Sequence, residues 1–383
     1  MIGAGSTGAA IAHDLASRGI RTAVVERGEP ASGTTGRNHA LLHSGGRYVV
    51  KDPESAVECI QENLLLRRAA PGVIEETGGL FVAIDDEDLA YREAFLEGCR
   101  RAGVPAEEIP PDLARRLEPG LTESVRAAVR VPDAVIDPYR LVLSWLATAQ
   151  ANGAEVFPFT PVEAVEVRAG RVAHVVAHDL VHRRRLRLEA PVVINAAGPW
   201  AGRVAALAGV EVPVQPSAGV MVALAARLNQ RVINRMRPPG DGDIIVPQRA
   251  TSIIGTTSWN VESGDRIPVP PDHVRRMIEE GAKLLPAVRE APVLAAFAAA
   301  RPLVAGNKES DGRELSRGFQ VFDHGRDGAE GFMSVVGGKT TTSRLMAEIV
   351  ADRVCEKLGV QQECRTRELA LLPFHRFRWR EGG

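Results

Sequence analysis

MIGAGSTGAAIAHDLASRGIRTAVVERG, residues 1–28, is the stretch on which the fold turns. Gly3, Gly5 and Gly8 stand at the GxGxxG spacing, where missing side chains let backbone amides and a helix N-terminus approach a pyrophosphate. Ser6 and Thr7 lie inside the same turn. Ala9, Ala10, Ile11 and Leu15 follow at helical spacing, Gly19 stops the helix, and Ala23, Val24 and Val25 read as a strand. The strand runs into Glu26, placed to accept hydrogen bonds from an adenosine ribose, and then Arg27. Glycine spacing alone would be a weak signal; with the helix and the acidic strand end it predicts dinucleotide binding. The strand that should precede Gly3 has only Met1 and Ile2 to build it, which predicts a weakened central sheet.

Further along, Pro53 to Ala70 is helical in pattern, Gly79 to Ile84 reads as a strand, and a short helix covers Leu113 to Leu117. Val125 to Ile136 alternates as one strand would, and Pro138 to Ala151 returns to helical spacing. After Val156 come a strand, a turn at Gly170 and another strand. The continuous apolar run Val192-Val193-Ile194 then suits a parallel strand covered on both faces. Short strands, among them Val220 to Leu224 and Ile253-Ile254, fill 212–257. The last third holds a helix near Val274 to Leu285, a strand Phe332 to Val336 and a helix from Thr341 to Leu358. Nucleotide-type pieces at the start, middle and end predict an α/β protein. Its discontinuous Rossmann-like domain (1–74, 136–209, 300–362) is interleaved with an antiparallel-sheet substrate domain (75–135, 210–299) and followed by a tail, 363–383.

Composition excludes several classes. A chain of 383 residues with 45% hydrophobic residues can bury a large core, while a formal net charge of -1 gives no footprint for nucleic acid. No apolar run spans a bilayer and no secretory leader is visible, so a cytoplasmic location is the default. Cys59, Cys99, Cys355 and Cys364 are scattered, no pair has metal-site spacing, and all read as ordinary thiols. No metal is expected. Lys51, Lys283, Lys308, Lys339 and Lys357 are the only lysines, which draws the eye to Lys339.

The segment Gly33 to Tyr48, GTTGRNHALLHSGGRY, follows the acidic strand, and its small and hydroxylic residues, Thr34 and Thr35 among them, suit a flavin's pyrophosphate and ribityl chain. This string resembles the one after the dinucleotide motif in FAD-dependent glycerol-3-phosphate dehydrogenases. GGLFVAID from Gly78, VINAAGPWA at Ile194, LNQRVINRMRPPGDGDIIVP from Leu228, IGTTS at Ile254, ARPLV at Ala300 and GGKTTTSRLMAE at Gly337 extend the resemblance along almost the whole chain. RNHALLHSGGRY, with Cys355 and Cys364, is similar to the catalytic subunit of the anaerobic class in particular.

The resemblance implies a fold of the glutathione-reductase and D-amino-acid-oxidase type, with FAD as cofactor. It implies oxidation of sn-glycerol 3-phosphate to dihydroxyacetone phosphate by hydride transfer to flavin N5, electrons passing to quinone directly or through partner subunits. Such a reaction needs a base with a pKa near neutrality, and His43 matches the family's position for it. Arg47, Tyr48 and Arg301 would hold the substrate; the fork of arginine suits a phosphate, and Arg301 interrupts an alanine-rich run where an unpaired charge is costly. The other reading of Arg301 is an internal ion pair. Lys339 would lie near flavin and substrate, its charge favouring the reduced ring. Gly338, Thr340 and Thr341 join the cofactor set, although helix capping alone would explain the two threonines. Ala196, Ala197 and Gly198 would pack on the nucleotide and Val162 would meet the adenine through its backbone. Trp200 stands in that group too, read as a core aromatic rather than a catalytic residue.

The match has departures. Aerobic members carry a histidine in the strand that here reads SAGVMVAL, and Ser217 to Leu224 supplies none. Anaerobic members often continue into a cysteine-rich iron–sulfur segment, whereas this chain stops soon after Cys364. The sequence FHRFRWR, Phe374 to Arg380, suits an anionic membrane surface on the cell's inner face or a partner protein, but is read as a frayed terminus. A homo- or hetero-oligomer is compatible with this. Two rivals stand beside the main reading: a flavin oxidase or dehydrogenase for a 2-hydroxy acid or amine, and a flavin-free scaffold subunit.

Overall fold

The structure, a computed structural model, describes residues 1–305 and 318–379. Lys308, Arg380 and the part of the third nucleotide segment between 306 and 317 lie outside them.

A parallel sheet forms around the opening turn. Ala23–Val25 pairs with Glu155–Phe157, Val193–Asn195 pairs with Phe332–Gly337, and Phe319–Asp323 adds an antiparallel edge. Ile2 joins the two halves by bridging Val25 on one side and Asn195 on the other. Val25 N donates to Met1 O at 2.9 Å, Gly3 N to Val25 O at 2.8 Å, and Ala196 N to Ile2 O at 2.9 Å. Met1 and Ile2 thus make ladder contacts on both sides of the turn, as bridges rather than as a full strand.

Helices Ser6–Ser17, Pro138–Ala151 and Ser343–Leu358 cover one face of this sheet, packing Ile11, Leu15, Trp145, Leu146, Met346 and Val350 together. An antiparallel meander, Val162–Arg168, Arg171–Asp179 and Arg184–Leu188, covers the other through Val165, Val172 and Val175 against Ile2, Val25 and Phe332. Cover on both faces is why these strands are apolar without alternation. Each such side chain contributes about 1.5–3 kcal/mol of burial.

The second sheet has nine strands among the described residues. Its longest pair is Val214–Leu224 against Val293–Val304, antiparallel along the full length, and the strand Val293–Val304 runs across residue 300. Gly79–Ala83 shows how the sheet is covered. Leu80 and Val82 join the core under helix Pro271–Leu284, while Phe81 and Ala83 join the core under helix Asp86–Ala102, as a period of two requires.

Four expectations change. Val125 to Ile136 is two strands, Ala127–Val131 and Ala134–Ile136, because Pro132 lacks the N–H a ladder needs. Asp86–Ala102 is a helix the apolar pattern did not reveal; its signals are Asp85, whose carboxylate accepts from Asp88 N, and Gly103 in the left-handed region. The alanine-rich run is a strand rather than unassigned chain. Over its described residues the tail is docked, not frayed: Phe377 is buried, Arg140 lies over the Phe374 ring at 4.5 Å, and Gln150 bonds both backbone groups of Arg378.

Candidate functional site

The glycine turn is as tight as its spacing suggests. Gly3 has φ +102, and a Cβ there would lie 2.6 Å from Ala196 O; a Cβ on Gly8 would lie 2.0 Å from Gly3 O. Gly8 thus packs behind the turn and does not line the cleft in front of it. That cleft, of about 900 Å³, is lined by Gly3, Gly5, Ser6, Thr7, Glu26 and Arg27 at one end. Helix Ser6–Ser17 opens on Gly5, which has no side chain to cap it, and carries no acid in its first turn. Its positive end is therefore left for a negatively charged group. The Glu26 carboxylate accepts Ala4 N at 2.8 Å and Gly28 N at 3.0 Å, which fixes it at the strand end.

The segment after the acidic strand forms the long wall. Thr35 Oγ1 accepts Ser6 N at 3.1 Å, tying this wall to the turn, and Thr34 Oγ1 donates to Ala300 O at 2.5 Å, tying it to the second sheet. His43 N donates to Thr341 Oγ1 at 3.2 Å, so the histidine loop and the glycine–lysine turn meet directly. The His43 ring lies 5.3 Å from the Tyr48 ring, and Lys339 Nζ lies 4.9 Å from the Tyr48 centroid. Lys339 Nζ also donates to Ser55 Oγ at 3.1 Å. Arg47 is anchored to Asp243 at 3.1 Å and to Gly240 O at 3.3 Å, and its Nη1 is buried without a hydrogen-bond partner among the described residues. Arg301 donates to Ser217 O, Ala218 O, Thr257 O and Thr256 Oγ1, which fixes the guanidinium in the cleft wall.

Val162, Ala196, Ala197, Gly198, Gly338, Thr340, Thr341 and Trp200 line the same cleft. Two expectations are corrected here. Thr340 and Thr341 do not cap the helix, because Thr342 occupies that position; Thr340 Oγ1 accepts from Asn38 and Thr341 Oγ1 from His43 N. Trp200 is no core aromatic: it stands half-buried at the cleft mouth, with Arg27 over its ring at 3.8 Å and Nε1 donating to Asp265 at 2.6 Å. Asp265 also pairs with Arg203, and these donors hold its carboxyl down at about 2.

Sequence reading misses several participants. Asp243 and Asp265 sit in stretches where nothing local marks them as partners of distant arginines. Asp133 is buried and accepts Ser44 N at 2.7 Å and Asn234 at 3.0 Å, so it fixes the loop carrying His43; burial pushes its carboxyl pKa up. His39 also lines the cleft. Burial drives the Cys59 and Cys99 thiols up to about 12, which leaves them inert.

Glycines that a Cβ would obstruct, an uncapped helix start and an elongated cleft between two sheets all fit a flavin dinucleotide. The chain is 44% identical over 374 residues to the A-subunit of the anaerobic glycerol-3-phosphate dehydrogenase of Haemophilus influenzae, covering 97% of this chain and 66% of that protein. It is 42% identical to the protein of the same name from Escherichia coli K12, covering 97% and 69%. It thus spans about two thirds of the length of these relatives. Among solved structures it resembles the glycerol-3-phosphate dehydrogenase of Bacillus halodurans complexed with FAD, with 25% identity, a TM-score of 0.75, and coverage of 97% of this chain and 66% of that one. The family described as FAD dependent oxidoreductase (DAO) matches residues 1–353, and the chain belongs to it.

Proposed function

We propose that this chain is the FAD-dependent catalytic part of a glycerol-3-phosphate dehydrogenase, oxidising sn-glycerol 3-phosphate to dihydroxyacetone phosphate. The observation that carries this reading is the meeting of the histidine loop and the glycine–lysine turn, bonded through His43 N and Thr341, in the same cleft as the dinucleotide turn. FAD, when bound, supplies the hydride acceptor. His43 takes the proton of the substrate hydroxyl, and the Asp133 contact with Ser44 keeps its loop in place. Arg47 and Arg301 hold the phosphate, Arg47 through the Nη1 that no described protein group uses. Tyr48 packs between His43 and Lys339, and Lys339 sets a positive charge beside the ring site.

The relatives are named as one member of a multi-subunit dehydrogenase, which supports a chain that hands electrons to partner proteins and through them to quinone. No helix among the described residues is long and apolar enough to cross a membrane. The reading includes peripheral attachment at the inner face of the membrane, or attachment through a partner.

Anaerobic stopped-flow reduction of the flavin-loaded protein tests the reading. Glycerol 3-phosphate should bleach the flavin, whereas 2-hydroxyglutarate and glycine derivatives should not. Bleaching by the latter alone would transfer the chain to the hydroxy-acid or amine class. A colourless protein that takes up no FAD would favour the scaffold alternative.

A further inference from the structure

The cleft holds a second histidine that the proposed chemistry does not use. The His39 ring lies 5.9 Å from the His43 ring, edge to face, and its Cδ2 side is closed by Gly255, where a Cβ would stand 3.2 Å away. His39 Nδ1 accepts the Leu41 N–H at 3.4 Å. A ring nitrogen that accepts carries no hydrogen, so the neutral imidazole bears its proton on Nε2. Nε2 has no protein partner among the described residues, and the residue lines the cleft.

The surroundings keep the ring neutral. Burial is the largest cause, followed by the Arg301 and then the Arg47 guanidinium, and together they hold His39 at about 4. A base that weak is poorly matched to taking an alcohol proton near neutrality, which separates it from the role given to His43. What the ring offers is a fixed N–H donor beside two guanidinium groups.

We propose that His39 is a substrate-binding residue whose Nε2–H donates to an anionic oxygen held between Arg47 and Arg301, completing a three-sided seat for a phosphate dianion. The proposal rests on the phosphorylated substrate proposed above. It also explains the position of the ring: two guanidinium groups repel a charged imidazole yet do not oppose a neutral one, so the donor remains available without adding a third full charge. A substrate without the dianion would leave the Arg47 Nη1 and the His39 Nε2–H unmatched, and such sites discriminate strongly.

The test uses flavin-loaded protein and sulfate, a dianion that keeps its charge across the neutral range, with binding followed by the shift of the flavin's visible band. His39→Asn keeps an oxygen where Nδ1 accepts from Leu41 but withdraws the Nε2 donor; His39→Gln places an N–H near Nε2. Sulfate should bind His39→Asn about tenfold more weakly than wild type or worse, and His39→Gln should recover to within about threefold. For glycerol 3-phosphate, His39→Asn should raise KM with kcat little changed, and should narrow the preference over glycerol. Sulfate binding to His39→Asn at wild-type strength, or His39→Gln as weak as His39→Asn, overturns the proposal. If wild type is not bleached by glycerol 3-phosphate yet the sulfate pattern holds, the anion seat stands and the substrate reading fails.

Discussion

His43 carries the sharpest residue-scale expectation. His43→Asn removes the base while leaving the Thr341 contact, which uses backbone N–H, so flavin content should stay normal and bleaching should slow by about 10²-fold or more. Unchanged stopped-flow rates would remove it from that role. Asp243 acts at one remove: it is buried, holds Arg47, Arg237 and Gly240 N, and has no local sequence signature. Asp243→Asn should free the Arg47 guanidinium and raise KM for glycerol 3-phosphate by about tenfold, with a smaller effect on kcat. Gly8→Ala forces a Cβ onto Gly3 O, so the purified variant should lose its yellow colour. These residues divide by legibility. Gly3, Gly8 and Glu26 announce themselves through spacing, and His43, Arg301 and Lys339 through the motifs around them. Asp243, Asp133 and Asp265 act across 196, 89 and 65 positions of chain, a separation that no local pattern encodes.

At the scale of elements, helix Ser6–Ser17 joins the nucleotide turn to the core through His13, fully buried and tilted against the Trp145 ring at 5.1 Å. Burial lowers His13 to about 4 from an ordinary 6.5. Between those values the unfolded chain binds a proton that the folded one refuses, so stability falls as pH drops from 6.5 towards 4, by up to about 3 kcal/mol from this group. Urea unfolding at pH 7 and pH 5 should show about 2 kcal/mol of that loss, and His13→Phe should flatten it. The docked tail contributes on the neighbouring helix: Phe377→Ala should cost about 3 kcal/mol and lower the Tm by several degrees. Helices bounded by Asp52-Pro53, Asp137-Pro138 and Gly359 are legible because their caps are local. Helix Asp86–Ala102 escapes because charged residues dominate it and its few apolar contacts, Phe95 and Cys99, pack on a sheet whose existence that stretch cannot reveal.

In the whole molecule, the parallel sheet can be anticipated from the opening turn and the continuous apolar runs. The pairing of Val214–Leu224 with Val293–Val304, which forms the far wall of the cleft, cannot, because it joins segments that share no turn. The two sheets keep largely separate cores, and bonds such as Thr34 to Ala300 and Trp200 to Asp265 cross the cleft between them. A dinucleotide lying along that cleft would act as a splint, adding its binding free energy to the attachment of one half to the other. Calorimetry of protein stripped of flavin should then resolve two endotherms, which merge into one at higher temperature once FAD is restored. A deficit of riboflavin in the cell would, by the same logic, lower the amount of this protein by exposing it to proteases before any loss of turnover was felt.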